Sequence, residues 1–181
     1  MAVTDVSGSA LSKAKTLLTR HGFSDRVIFR EADGLHALGE EPAQAVSITG
    51  MGGDTISIIL TAAPQKLQGA SLILSPHTEL PKLRETLPTI CYRIEKESIA
   101  RAGGRFYVVL LAMPGTAAYT EKELNLGPCL LRERPPLFTD YLHWRLKVTQ
   151  KALTALTAAQ GNEPRIEELN RLAGYIQEEL I

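Results

Sequence analysis

The sequence predicts an α/β fold in which a mostly parallel β-sheet is followed by a C-terminal helical hairpin. Up to about residue 113, short apolar runs bounded by glycine or proline alternate with amphipathic stretches. Strands separated by helices of roughly ten residues are typical of a parallel sheet with crossover connections. After Pro114 the strand-like runs stop, and two long helical patterns occupy the end of the chain.

Short apolar runs mark the candidate strands, and the amphipathic stretches between them mark the candidate helices. The strand candidates are 1–6, 27–29, 45–48, 72–74, 90–94 and 106–112, and the helix candidates are 9–21, 54–60 and 80–87. In the first helix, Leu11, Ala14 and Leu18 recur at spacings of three and four residues, which places them on one face. The last two strands are joined by a short connection containing Gly103-Gly104, which predicts an antiparallel pair at the sheet edge.

The pattern at the end of the chain predicts a connection followed by two helices. Breakers such as Gly127-Pro128 predict an irregular, charge-rich connection over 119–136. A leucine stripe from Leu142 to Leu156 marks the first helix, and a heptad seam over 166–180 marks the second. The break at Gln160-Gly161-Asn162 is so short that the helices must run antiparallel. The expected division of the chain is 1–115 for the sheet domain, 116–136 for the connection and 137–181 for the helical hairpin.

Composition excludes several classes of protein. The chain has 181 residues with 20 basic and 20 acidic side chains, so any nucleic-acid surface must be a local patch. No apolar run approaches the roughly 20 residues that a membrane span needs, so no membrane partner is expected. Cys91 and Cys129 are isolated, without a CxxC motif or a histidine at ligand spacing, which argues against a disulfide scaffold and a metal site. Unpaired cysteines also suit the reducing cytoplasm, which is the expected location.

The residues at the ends of the strands are the candidate site, because parallel sheets bind ligands outside the carboxyl ends of their strands. Asp5 ends the first strand, and an ionised carboxylate there can accept hydrogen bonds from both hydroxyls of a ribose. Alternatively, Asp5 or Ser7 caps the following helix. Asp33 and Gly34 follow the second strand, where they can contact an adenine amino group or form an ordinary turn.

The segment Gly50-Met51-Gly52-Gly53 is the most informative of these strand ends. Three glycines in four positions at a strand-to-helix junction let a ligand approach the backbone, beside the free N–H groups of a helix start. The segment matches neither a P-loop nor GxGxxG, and a flexible turn without a ligand is the alternative. His77, after Pro76, is a candidate for orienting a substrate base or moving a proton, or else an ordinary surface histidine.

A cluster of basic and aromatic residues near the first C-terminal helix is the candidate surface for RNA. Its members are Arg132, Arg134, Trp144, Arg145, Lys147 and Lys151. Basic side chains bind phosphates, and aromatic rings stack on bases. A solvated helix face has the same composition, so both interpretations stay open.

Taken in order, these pieces resemble the bacterial TrmK family of S-adenosylmethionine-dependent tRNA methyltransferases, which act on N1 of adenine 22. The similarity runs from about residue 1 to residue 150 and continues into a helical extension like that of the family. Its most specific part is Ile48-Thr49-Gly50-Met51-Gly52-Gly53. The other matching segments are Asp5-Val6, Gly22-Phe23, Asp25-Arg26-Val27, Asp33-Gly34-Leu35, Leu72-Ile73-Leu74-Ser75-Pro76, Gly104-Arg105-Phe106-Tyr107, Tyr119, Gly127-Pro128 and Leu130-Leu131.

The resemblance implies a Rossmann-like class I methyltransferase sheet with a coiled-coil hairpin, S-adenosylmethionine as the cofactor and tRNA as the partner. Asp5 and Val6 would hold the ribose of the cofactor, and Asp33, Gly34 and Leu35 its adenine end. Gly50, Met51 and Gly52 would lie where related enzymes position the target base. Because N1 methylation leaves a positive charge on the adenine, a group that takes up an N6 proton or stabilises the cation would help, and His77 is the candidate.

One departure from the family affects the cofactor site. Family members begin with a further strand and a glycine-containing acidic loop, which this chain does not show. In the family's sheet that strand lies between the strand ending at Asp5 and the strand ending at Gly50, so we expect a truncated fragment or a misassigned start codon. The expected function is tRNA adenine-N1 methylation. The alternatives are a non-catalytic RNA-binding or assembly module and, less favoured, a methyltransferase of small molecules.

Overall fold

The computed structural model describes residues 1–39, 43–159 and 162–181, in which strands and helices alternate as the sequence predicts. The strands are β1 (Ala2–Asp5), β2 (Ile28–Glu31), β3 (Ala45–Thr49), β4 (Ser71–Ser75), β5 (Tyr92–Ala102) and β6 (Arg105–Pro114). The helices are α1 (Gly8–Arg20), α2 (Gly53–Ala62), α3 (Leu80–Thr89), α4 (Glu121–Leu126), α5 (Pro128–Glu133), α6 (Phe138–Ala158) and α7 (Glu163–Leu180). No helix in these three ranges is long and apolar enough to cross a membrane.

The strands form two sheets rather than one. β1 pairs with β2 in parallel, and a four-stranded sheet has the order β3-β4-β6-β5. Within it β3 and β4 are parallel, whereas β6 is antiparallel to both β4 and β5. The predicted parallel sheet with an antiparallel edge pair is therefore confirmed for this four-stranded part.

A groove separates β1 from β3. The carboxyl ends of both strands line one cavity, and their amino ends line a second cavity, so the two strands run in the same direction on either side of the groove. The division of the sheet lies where the family resemblance places its additional strand. Asp5 and Thr49 thus face each other across an open groove instead of belonging to adjacent paired strands.

The edge hairpin β5–β6 is much longer than predicted. Its strands pair continuously from Tyr92 opposite Pro114 to Ala102 opposite Arg105, with one irregularity between Ile94 and Lys96. The sequence missed the second half of β5 because one of its faces is exposed and carries charged or small residues, which leaves no apolar run. The hairpin therefore extends well beyond the rest of the sheet.

The core lies on one face of the four-stranded sheet. Leu72 and Leu74 on β4 and Leu110 on β6 are fully buried, whereas Ile73, which points to the opposite face, is exposed. Helices α2 and α3 pack on the buried face, and the first two turns of α6 join the same core through Phe138. The C-terminal region is therefore continuous with the core of the sheet.

The segment expected to be an irregular connection contains two short helices instead. Thr120 and Glu123 form a reciprocal capping box that starts α4, and Pro128 lies in the first turn of α5. Leu126 and Leu130 from these helices are fully buried in the core. Capping and burial thus override the glycine and proline breakers that suggested irregular structure.

A buried ion pair ties these short helices to the sheet. Arg84 on α3 donates through Nε to Glu97 Oε1 on β5 at 2.9 Å, and both side chains are 0% exposed. Arg84 Nη1 also donates to the carbonyl oxygens of Leu124 and Asn125, at the end of α4. One guanidinium therefore connects α3, β5 and α4.

The carboxylate of the same pair holds the start of α5. Glu97 Oε2 accepts hydrogen bonds from the backbone N–H groups of Cys129, at 3.0 Å, and Leu130, at 3.3 Å. The first N–H groups of a helix have no carbonyl partner within the helix, and a negative charge near them is favourable. Both charges of the pair are consequently compensated inside the core.

Helices α6 and α7 form the predicted antiparallel hairpin and pack against each other. Arg134, just before α6, pairs with Glu179 at the end of α7, which places the end of one helix beside the start of the other. Asn162 accepts a hydrogen bond from Arg165 and caps α7, as an asparagine at a helix start should. The other two residues of the predicted break, Gln160 and Gly161, lie outside the described residues.

Replacing Glu97 with glutamine should destabilise the fold strongly. The Arg84 guanidinium would remain buried without its counter-charge, which costs about 3–5 kcal/mol. Urea unfolding followed by circular dichroism measures the change. The control is Glu85→Gln, because Glu85 pairs with Lys82 on the same helix with both side chains more than half exposed. That change should stay within about 0.5 kcal/mol, and equal losses in the two variants would contradict the role of the buried pair.

Replacing Glu179 with glutamine should destabilise the docking of α7 in a pH-dependent way. The Lys122 ammonium, 2.7 Å from Glu179, and the Arg134 guanidinium lower the pKa of this carboxyl below its ordinary value. Its stabilisation is therefore present above the unfolded pKa of about 4.3 and is lost as the pH falls through the lower, folded pKa.

The difference in unfolding free energy between Glu179→Gln and the unaltered chain should accordingly be about 1 kcal/mol at pH 7 and vanish in acid. The matched control is Glu178→Gln, since Glu178 shares Lys122 but is more exposed. It should have the smaller effect. A loss for Glu179→Gln that is the same at both pH values would show that the charge is not responsible.

Candidate active site

The candidate site is a cavity of about 440 Å³ at the carboxyl ends of β1, β2 and β3. Small-molecule sites usually occupy about 300–1,000 Å³, so this crevice suits a ligand of ordinary size. The sequence-predicted residues among its lining are Asp5, Val6, Asp33, Gly34, Leu35 and Met51. These residues come from three separate segments of the chain, and the fold brings them to one place.

Asp5 supports the turn before α1 and also lines the crevice. Its Oδ1 accepts a hydrogen bond from the Ser7 N–H at 2.8 Å, while Ser7 Oγ accepts one from the Ala10 N–H and caps α1. Ser7 is thus the helix cap, and Asp5 supports the turn that leads to it. Asp5 Oδ2 has no hydrogen-bond partner within the described parts of the chain, and Asp5 lines the crevice.

Asp33 precedes a short 3₁₀ turn and also lines the crevice. Its side chain makes no capping bond to that turn, so the carboxylate is available to a ligand. Leu35, two residues later, is buried and forms both core and crevice wall, together with Ile59 from α2. The wall therefore presents a hydrogen-bond acceptor beside an apolar surface.

The glycine-rich segment packs against the segment that follows β4. Its backbone pairs with the segment after β4, because His77 N–H donates to the Met51 carbonyl at 2.8 Å and Gly53 N–H to the Thr78 carbonyl at 2.9 Å. A Cβ on Gly53 would lie 2.2 Å from the Glu79 carbonyl oxygen. At Gly53, the lack of a side chain thus permits close contact between two backbones.

Only part of the glycine-rich segment reaches the crevice. Met51 is exposed and lines it, whereas Gly50 and Gly52 are not among its lining residues. Sequence reasoning overlooked Thr55, Ile58 and Ile59 on α2, which also line it. The sequence did contain a signal for them. Residues three and four apart share a helix face, so these three residues after the glycines could be expected on one face of α2.

His77 lies at the outer edge of this site. It is exposed, it is not among the lining residues, and its ring packs edge-on against that of Tyr107 on β6 with the centroids 5.9 Å apart. The backbone bond to Met51 keeps it next to the crevice. His77 therefore borders the place where Met51 is exposed.

The candidate RNA surface is dispersed in the structure. Its three arginines contact other groups of the chain, since Arg132 pairs with the adjacent Glu133, Arg134 pairs with Glu179, and Arg145 donates to the Asn125 carbonyl. The remaining members, together with one valine, lie on one exposed face of α6, at spacings of three and four residues. This face, called the α6 stripe below, consists of Trp144, Lys147, Val148 and Lys151.

The core groups whose pKa values are shifted lie outside the crevice. Burial raises the pKa of the Cys129 thiol and of the Tyr119 hydroxyl. Both groups lie near Glu97 on β5, which is the edge strand at the opposite end of the four-stranded sheet from β3. Within the described ranges, no cluster of three or more His, Cys, Asp or Glu side chains could hold a metal ion.

Replacing Gly53 with alanine should separate the two backbones and reduce stability. Forcing a methyl group into a closed space costs about 1–3 kcal/mol, measured as a fall in the unfolding free energy in urea. The control is Gly174→Ala in α7, where a Cβ meets open space. That change should stabilise the protein by about 0.5–1 kcal/mol. A neutral Gly53→Ala variant would show that the close approach is not required.

Comparison with known proteins identifies the family. The sequence pattern of TrmK, described as tRNA (adenine(22)-N(1))-methyltransferase, matches residues 1–178. A Bacillus subtilis tRNA (adenine(22)-N(1))-methyltransferase is 31% identical over 180 residues, which are 96% of this chain and 76% of the relative.

Two solved structures share the fold over almost the whole chain. A Streptococcus agalactiae protein of the NADB-Rossmann superfamily has a TM-score of 0.88 at 27% identity, over 99% of this chain and 79% of its own. A Streptococcus pneumoniae protein in complex with S-adenosyl-L-methionine has a TM-score of 0.83 at 27% identity, with the same coverage of 99% and 79%. The chain therefore belongs to the TrmK family of tRNA (adenine(22)-N(1))-methyltransferases, enzymes that transfer a methyl group from S-adenosylmethionine to N1 of adenine 22 in tRNA.

Proposed function

We propose that the crevice between β1 and β3 binds S-adenosylmethionine and that the target adenine is methylated at its open side, beside Met51. The observation that carries this proposal is the meeting of Asp5, Asp33 and Met51 in one cavity of about 440 Å³. The residues suit a nucleoside, because two carboxylates with free oxygens flank an apolar wall. Carboxylates accept hydrogen bonds from ribose hydroxyls and amino groups, and the apolar wall suits a flat heterocycle.

Each residue has a defined role in this arrangement. Asp5 Oδ2 accepts from the ribose hydroxyls, while the Oδ1 bond to Ser7 keeps the carboxylate in place. Asp33 and Gly34 bind the adenine end of the cofactor, against Leu35. Val6 borders the ribose side of the same cavity.

The chemistry requires mainly positioning by the protein. S-adenosylmethionine supplies a methyl group that its sulfonium already activates. The protein must hold the adenine so that its N1 lone pair is in line with that group, and such orientation provides much of the acceleration. His77, at the edge of the crevice, is the proposed acceptor of the N6 proton, which relieves the positive charge that forms on the adenine.

The α6 stripe is the proposed contact for tRNA. Lys147 and Lys151 are exposed, and the opposite face of α6 packs against α7. The stripe therefore faces away from α7. Folded tRNA is recognised largely through its shape and backbone, for which exposed lysines are suited. Arg134 and Arg145 support this surface by positioning its helices, since Arg134 pairs with Glu179 of α7 and Arg145 binds the Asn125 carbonyl of α4. Arg132 pairs with its neighbour Glu133 within α5.

Replacing Asp5 with asparagine should weaken the binding of S-adenosylmethionine in isothermal titration calorimetry. Asparagine keeps an oxygen for the Ser7 N–H but loses the charge, and a charged hydrogen bond contributes about 1.5–3 kcal/mol. The dissociation constant should therefore rise by about 10- to 100-fold. Stability should be unchanged.

The matched control is Ser7→Ala, which removes the cap of α1 without touching the carboxylate. It should lower the unfolding free energy by about 1 kcal/mol with little effect on the cofactor. An unchanged affinity in Asp5→Asn would restrict Asp5 to its structural turn. Binding of tRNA without any binding of S-adenosylmethionine by the unaltered chain would favour a non-catalytic RNA-binding module.

A further inference from the structure

The tip of the β5–β6 hairpin lies at the same edge of the sheet as the crevice. β6 runs antiparallel to β4, so its first residues lie at the carboxyl end of β4, where Tyr107 meets His77. Gly103 and Gly104 form the turn with φ of +56° and +75°, the conformation of the tight two-residue turns that suit hairpins. The tip is therefore a compact projection beside the place of the reaction.

Two arginines occupy opposite faces of this tip. Arg101 is paired with Phe106 across the hairpin, and directly opposed residues share a face. Arg105 is two residues before Tyr107 and therefore shares the face that meets His77. Both arginines are exposed, and neither forms an ion pair within the part of the chain that the structure describes. The tip thus carries two uncompensated positive charges.

The face with Arg101 leads to an exposed tryptophan. The Arg101 guanidinium lies over the Phe106 ring at 5.3 Å, and the Phe106 centroid is 5.7 Å from that of Trp144. Trp144 is also stacked on Tyr141, which is buried, yet its own side chain remains 39% exposed. One side of the indole is consequently fixed by two other rings while the rest is available to a planar partner.

We propose that Trp144, Arg101 and Arg105 form a nucleotide subsite that holds the RNA strand next to the target adenine. The indole stacks on a neighbouring unstacked base, and the two guanidinium groups bind the phosphates on the way to His77 and Met51. This inference rests on the proposed function, and it names how the substrate strand reaches the crevice. The residues form a continuous path from the α6 stripe, across the hairpin tip, to the methylation site.

The chemistry of the target explains the need for such a subsite. N1 lies on the Watson–Crick edge of adenine, so enzymes that act on it must take the base out of pairing and stacking. The neighbouring bases then lose stacking partners, and a fixed aromatic ring with adjacent cations replaces part of that interaction, worth about 1–3 kcal/mol per base. A protein partner would need no cations arranged along a path to the crevice, so RNA is the occupant we favour.

The subsite can be tested with intrinsic fluorescence, because Trp144 is the one tryptophan among the 181 residues. Titration of the unaltered chain with an unmodified tRNA transcript should quench its emission, since stacking on a base quenches indole. Heparin, a polyanion without bases, should leave the emission nearly unchanged. Quenching by heparin or by anionic lipid vesicles as strong as that by tRNA would overturn the proposal, because it would indicate a general anion surface.

The arginines are tested with the double variant Arg101→Ala/Arg105→Ala. The tRNA concentration at half-maximal quenching should rise at least about tenfold, and the slope of log affinity against log salt should fall by about 1.5, for two lost phosphate contacts. Affinity for S-adenosylmethionine should not change. The matched control is Arg93→Ala/Lys96→Ala, which removes two exposed charges from the distant half of the same strand. It should change tRNA affinity less than about twofold, as surface changes away from a binding site do.

The outcomes separate this inference from the proposed function. If Lys147→Ala/Lys151→Ala weakens tRNA binding but the tip variant behaves like its control, the nucleotide subsite is wrong and the proposed function stands. If tRNA binds without quenching Trp144, the stacking part is wrong. If the unaltered chain binds neither tRNA nor S-adenosylmethionine, the proposed function itself fails.

Discussion

The position of the proposed RNA surface depends on the buried pair between Arg84 and Glu97. This pair joins α3 and β5 to the ends of α4 and α5, and α6 follows directly from them. Burying two charges costs free energy, which their mutual attraction and further hydrogen bonds offset. Arg84 Nη1 donates to two carbonyl groups of α4, and Glu97 Oε2 accepts from two N–H groups of α5. The pair thereby fixes where α6 starts, and with it the position of Trp144 relative to the hairpin tip.

The general fold was predictable because it follows from local patterns. Apolar runs separated by amphipathic stretches indicated the parallel strands and their helices, and the heptad seam indicated the C-terminal hairpin. The missed features depend on distant partners. The second half of β5 has a polar pattern because one of its faces is exposed. Helix α5 is stabilised by Glu97, roughly 30 residues away in the chain, and α4 by Arg84, about 40 residues away. A capping box at Thr120 was the one local sign of α4.

The candidate site was predictable to the extent that it lies at strand ends. Asp5, Asp33 and Met51 meet because the carboxyl ends of parallel strands lie at one edge of the sheet. This can be expected from the strand order alone, without knowing any side-chain contact. The basic cluster was only partly predictable. Arg134 is paired with Glu179 of α7, a partner 45 residues away, and composition cannot reveal such a pair. Arg101 lies in the half of the edge strand β5 that the pattern did not show, and Arg105 is the first residue of β6, just before the predicted strand.

Stability is distributed unevenly between the two sides of the crevice. On the β3 side, the residues that line the crevice pack against the main core. By contrast, β1 and β2 contribute no buried side chain, and Val6 and Ile28 are exposed. Regions with little buried apolar area open most easily. A ligand that contacts Asp5 on one side and Ile59 on the other spans this groove and stabilises the weaker side by its own binding energy, about 2.7 kcal/mol at a hundredfold excess over its dissociation constant. In the proposed arrangement, cofactor binding and the packing of β1 and β2 are therefore coupled, while the RNA surface on α6 and the β5–β6 hairpin stays on the firmly packed side.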